Sequence, residues 1–86
     1  MTMDEIRKFE SIKSRDEFVA FVNELSKSFR MNPESWENND IGSYLDALAA
    51  WVSDMDGYYL NHKLPVPKRP DWKNVADMLL AARSYE

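Results

Sequence analysis

The sequence predicts an all-α fold: a small helical bundle of three main helices plus a short N-terminal element. Three observations carry that expectation. Apolar residues recur at helical spacing over three long stretches, each stretch opens on a residue that caps helices well, and prolines stand between them.

At the N-terminus, Ile6, Phe9 and Ile12 lie three apart, which fits a short helix, with a short strand as the alternative. Ser14-Arg15-Asp16-Glu17 is a capping box, the serine hydroxyl accepting from the Glu17 amide while the glutamate reaches back. A helix is therefore predicted over 15–31. Phe18, Phe21, Val22, Leu25 and Phe29 share an arc of roughly 100°, opposed by Asp16, Asn23, Glu24, Lys27 and Arg30. Asn32-Pro33 ends this helix, because proline disfavours helical geometry in the residue before it, and a single helical turn fits residues 33–37.

The second main helix is predicted over 41–61. Asp40 is a good N-cap, and Ser43 with Asp46 offers a second start one turn later. Trp51, Tyr44, Met55, Leu48, Ile41, Tyr59, Val52 and Leu45 span an arc of roughly 120°, a seam expected to face inward. Gly57 interrupts at a cost of about 1 kcal/mol relative to alanine, but Tyr59 keeps the seam and favours continuation. Residues 62–70, with three prolines, read as an extended crossing. Asp71 then caps a helix predicted over 71–85, whose face of Trp72, Val75, Ala76, Leu79, Ala82 and Arg83 is widened by Met78 and Leu80 to roughly 200°. So wide an arc implies a helix with a neighbour on either side, or one that contributes to an interface.

Eighty-six residues imply a single domain over 1–86, with room for one modest core. Aromatic residues make up 13% of the chain and should supply most of that core, the three tryptophans included. The absence of cysteine excludes disulfides, thiolate metal sites and cysteine nucleophiles. The first residues show no basic region leading into an apolar stretch, and the longest apolar run is Ala47 to Val52. No membrane association and a cytoplasmic location are therefore expected.

The net charge of −4 is unevenly spread. Residues 32–61 carry Glu34, Glu37, Asp40, Asp46, Asp54 and Asp56 with no lysine or arginine. Such an anionic block argues against nucleic acid, whose phosphates require clustered cations. It also fits pairing with the protein's own Lys63, Lys68 and Arg69, or with a basic protein partner.

Asp54-Met55-Asp56-Gly57 has the look of a calcium loop, but with Gly57 at loop position 6 the ligand positions at the two ends fall on Val52 and Lys63. Within a helix, residues two apart point roughly 160° away from each other, so the two aspartates cannot share an ion. Asp56 lies at the edge of the apolar seam and is a candidate buried polar residue, with Arg83, a tyrosine hydroxyl or an indole N–H as its partner. His62, the only histidine, stands at a helix–loop junction and reads as exposed. Two glycines leave no phosphate-cradling loop or dinucleotide fingerprint, and Pro67-Lys68-Arg69-Pro70 reads as a connector rather than a peptide motif. No catalytic, cofactor-binding or metal-ligating residue is assigned, and no cofactor is expected.

Trp36-Glu37-Asn38, the run Tyr44-Leu45-Asp46-Ala47-Leu48-Ala49-Ala50-Trp51, then Asp56-Gly57-Tyr58-Tyr59, Trp72 and the closing Ala81-Ala82-Arg83-Ser84-Tyr85-Glu86 together resemble a family of short bacterial proteins of unknown function. The resemblance runs from about Ser14 to Glu86. It implies a bacterial, self-contained domain and carries over no catalytic residue.

The expected function is a non-enzymatic protein–protein interaction module. Its candidate surfaces are the acidic face around Asp40, Asp46 and Asp54 and the wide apolar face around Met78 and Leu80. The first suits an inhibitor or immunity-type binder of a basic partner, the second a homodimer. The alternative is a small-molecule binder or enzyme with its site near Trp36, Asp56 and Tyr58.

Overall fold

The computed structural model describes residues 11–85, which form α1 (Arg15–Met31), a 3₁₀ turn (Pro33–Ser35), α2 (Ile41–Asn61) and α3 (Trp72–Ala81). Among the described residues there is no strand. The expected N-terminal element falls largely outside them. Ile12, which lies inside, is buried in the core.

Each helix starts where its capping residue stands. Ser14 accepts from the Glu17 amide at 3.2 Å. The Glu17 carboxylate returns to the Lys13 amide, also at 3.2 Å, one residue earlier than the usual box. Asp40 accepts from the Ser43 amide and hydroxyl, each at 2.8 Å, which settles the start of α2 in its favour. Asp71 accepts from the Asn74 amide at 2.7 Å.

α2 continues through Gly57. It ends in a Schellman motif: the Leu64 amide donates to the Tyr59 carbonyl at 2.9 Å and the Lys63 amide to the Leu60 carbonyl at 3.1 Å. Lys63 holds the left-handed position, with φ of 56°. α3 is shorter than the predicted 71–85, its α-helical ladder ending at Ala81. The chain beyond is held by Asn38, whose side-chain amide donates to the carbonyls of Ala82 at 3.0 Å and Tyr85 at 2.9 Å. The Asn38 backbone amide donates to the Arg83 carbonyl at 2.9 Å. The Leu79 carbonyl, which a longer α-helix would offer to the Arg83 amide, instead accepts the Tyr44 hydroxyl at 2.7 Å, and the Arg83 amide turns to the Leu80 carbonyl.

α3 packs against both α1 and α2, while no Cα of α1 comes within 8 Å of a Cα of α2. The wide apolar arc of α3 results from having a neighbour on either side. Ile12, Phe21, Leu25, Trp36 and Ala76 form the central cluster, with Phe18, Phe29, Tyr44, Leu79 and Leu80 packed on it. Trp36 bridges the gap between the two longer helices, edge-on to Phe29 at 5.2 Å and stacked on Tyr44 at 5.8 Å between ring centroids. The Tyr44 hydroxyl donates to the Leu79 carbonyl at 2.7 Å and ties α2 to α3.

This arrangement corrects the expectation for the apolar seam of α2. Trp51 and Tyr59 are buried, but Ile41 is 73% and Leu45 52% exposed. With no backbone contact from α1, α2 is covered mainly along the strip that meets α3 and Trp36, and the rest of its seam faces solvent.

Candidate functional site

Two surfaces combine unusual exposure or polarity with room for a partner. The first is the outer edge of α2, where Ile41, Leu45 and Leu60 (66% exposed) share a helix with the exposed Asp46 and Asp56. Exposed large apolar residues grouped on one element mark interaction sites more often than scattered ones do. Near the start of this edge Asp40 is committed to Ser43, whose backbone N–H, chief among its hydrogen bonds, holds the carboxyl below its ordinary range. Asp46 borders an open depression of about 340 Å³ with Asn38, Ser43, Ala50 and Tyr85. Asp54 accepts the Tyr85 hydroxyl proton, an interaction that raises the phenol's pKa.

The second surface is a cleft of about 610 Å³ between the end of α2, the proline segment and the first turns of α3. Tyr58, Leu64, Pro65 and Pro67 form its apolar walls, and Asp71, Lys73, Asn74 and Asp77 supply polar groups. A chain of hydrogen bonds runs along it. The Asn74 side-chain amide donates to the Tyr59 hydroxyl at 2.9 Å, and that hydroxyl donates to Asp77 Oδ2 at 2.8 Å. Lys73 Nζ pairs with Asp77 Oδ1. Burial chiefly, with Asp77 adding to it, pushes the Tyr59 pKa far above the usual phenol value. Asn74 is 2% exposed, and its side-chain carbonyl oxygen accepts no hydrogen bond.

The structure disperses the other expected residues. Asp56 is exposed, and so is not the buried polar residue the sequence implied. It lies on the uncovered edge of α2. Its expected partner Arg83 is half-buried elsewhere, with Nε donating to the Leu80 carbonyl at 3.0 Å and the guanidinium carbon 5.9 Å from the Trp36 ring centroid. Burial lowers the Arg83 pKa, with Tyr44 opposing. Met78 and Leu80 are half-buried, Leu80 against the central cluster.

Trp36, Asp56 and Tyr58 do not converge. Trp36 stacks on Tyr44 near the start of α2, while Tyr58 packs on Trp51 and His62 near its end, about 20 Å along the axis. His62 is exposed, and its Nδ1 lies 2.8 Å from the Tyr58 carbonyl, which fixes the proton on Nδ1. Among the described residues no three histidine or acidic side chains are grouped to hold a metal ion, and no helix is long and apolar enough to cross a membrane.

The Asn74–Tyr59–Asp77 chain was missed from sequence. Asn74 lies about 40° beyond Met78, outside the widened apolar arc of α3, so no local pattern marks it for burial.

The profile of a family described as of unknown function, DUF7660, matches residues 14–86. No match was found among curated proteins or among solved structures.

Proposed function

The chain belongs to this family of unknown function, and from that premise we propose that it is a non-enzymatic protein-interaction module whose contact surface is the outer edge of α2. The observation that carries the reading is the juxtaposition of exposed Ile41 and Leu45, one turn apart, with the exposed Asp46 beside them at the start of α2. Residues 32–61 contain no lysine or arginine to offset this charge. Apolar side chains in the middle of an interface supply affinity, and carboxylates among them select a partner of opposite charge and speed its approach. The partner that fits is a protein surface presenting apolar and cationic side chains together, as the target of an inhibitor or immunity-type protein would if that target were basic.

Capture from the native cytosol tests this, with the wild-type chain and Leu45→Glu as baits at low and high ionic strength. Leu45 is half-exposed, so the substitution leaves the fold intact. The expected result is a protein retained by the wild type at low salt, released at high salt and not retained by Leu45→Glu. Equal capture by both baits, or capture indifferent to salt, overturns the reading.

A further inference from the structure

Resting on the reading of the α2 edge as a contact surface, we propose that the pocket at the start of α2 receives one large apolar side chain of a protein partner, flanked on that partner by lysine or arginine. Phe29, Trp36, Ile41 and Tyr44 wall the pocket, and Asn38, Asn39 and Asp40 complete its lining. Ile41, 73% exposed, belongs both to this wall and to the edge, so the two surfaces are continuous.

The pocket's size and its polar groups select the occupant. A volume of about 250 Å³ falls below the range of small-molecule sites, roughly 300–1,000 Å³, and suits a single side chain rather than a metabolite. The polar groups are already engaged. The Trp36 indole N–H donates to the Ser28 hydroxyl at 3.4 Å, the Tyr44 hydroxyl to the Leu79 carbonyl, and the Asn38 amide to the Ala82 and Tyr85 carbonyls. Asp40 accepts from Ser43 with both of its oxygens. An apolar group loses nothing by entering, whereas a polar one exchanges water for few partners.

The flanking cations follow from the charge around the pocket. From Phe29 to Tyr44 the chain carries Glu34, Glu37 and Asp40 against Arg30 alone. Arg83, its guanidinium carbon 5.9 Å from the Trp36 ring centroid, is half-buried and is not part of the lining. Lysine or arginine beside the anchoring residue therefore meets a negative rim.

Titration of the ¹⁵N-labelled chain with acetyl-Lys-Leu-Lys-amide, acetyl-Lys-Ala-Lys-amide and acetyl-Glu-Leu-Glu-amide tests this. The reporters are the Trp36 indole N–H and the Ile41 backbone amide. The first peptide is expected to shift both saturably, and the alanine peptide to bind about tenfold more weakly for want of the apolar side chain. The glutamate peptide should bind about threefold more weakly at low salt, the difference closing at high salt. Ile41→Gln removes one wall at an exposed position, which leaves the fold intact, and should weaken the first peptide about threefold or more.

Reporters unmoved by the first peptide up to about 10 mM, or either other peptide binding as well at low salt, overturn the proposal. Movement of the same resonances on dilution of the free chain also overturns it, by identifying a second copy as the occupant. The edge reading is judged apart. A cytosolic protein lost with Leu45→Glu but kept by an Ile41→Gln bait sustains that reading and overturns the pocket. Saturable binding of the first peptide without salt-sensitive capture does the reverse.

Discussion

The side-chain amide of Asn74 donates to the hydroxyl of Tyr59 across 2.9 Å, joining the first turn of α3 to the last turns of α2. Because that hydroxyl in turn donates to Asp77, its neutral form is built into the fold. The Tyr59 pKa is raised in the folded state above the ordinary 10.0. Stability from this phenol is thus complete below pH 10, where the unfolded tyrosine still holds its proton, and is lost as pH rises toward the folded value. Tyr59→Phe is expected to cost about 1–3 kcal/mol at neutral pH, since Asn74 and Asp77 lose a buried partner. It should also flatten the alkaline decline. Urea midpoints between pH 7 and 11 measure both effects, and a decline parallel to the wild type would refute the assignment.

Trp51 is buried against Tyr58 and Tyr59, with ring centroids 5.4 and 6.2 Å away. Trp51→Ala should cost about 3–5 kcal/mol, a large part of the stability of a chain this size. Trp72, 39% exposed and resting on Phe18 at 5.1 Å, buries less surface. Its replacement by alanine should cost measurably less in the same urea experiment.

Gly57 and Lys63 are each the less favourable residue for their backbone. A Cβ at Gly57 would meet nothing within 4 Å, and its φ is not positive, so Gly57→Ala should stabilise by about 1 kcal/mol. Lys63 sits at φ of 56°, where an L residue loses about 1–2 kcal/mol. Lys63→Gly relieves this but adds freedom to the unfolded chain worth about 0.4–1 kcal/mol, so a net gain below about 1 kcal/mol is expected. Thermal unfolding of the single variants checks the order.

Asn38→Ala removes the donors held by the Ala82 and Tyr85 carbonyls, across 44 and 47 positions of sequence. The expected loss is about 1–2 kcal/mol. Hydrogen exchange should quicken at the backbone amides of residues 82–85 while the middle of α1 stays protected. Uniform acceleration along the whole chain would argue against a local clasp.

The helix starts were legible because Ser14, Asp40 and Asp71 act on amides two or three residues away. The continuity of α2 was legible because Tyr59 keeps the period past Gly57. What the sequence concealed depends on which helices meet. Ile41 and Leu45 carry the periodicity of a buried face, yet a face is buried only where a neighbour arrives. Asp56 stays in solvent because Arg83 lies by Trp36 and Tyr44, about 18 Å along α2 from it. Asn74 meets Tyr59 only because residues 62–70 return α3 alongside the end of α2, a closure that no local pattern encodes. Asn38 reaches the Ala82 carbonyl from 44 positions away, a contact beyond the reach of any local pattern.

Because α1 and α2 meet only through Trp36 and α3, neither offers the other a surface on which to settle during synthesis. A nascent chain emerging from the ribosome has its aromatic side chains unsheltered until residues 72–81 clear the exit tunnel. Folding is therefore expected to await release of that segment rather than proceed helix by helix, and chaperones that hold nascent chains have the longest access to the stretch that emerges first, around Phe18, Phe21 and Phe29.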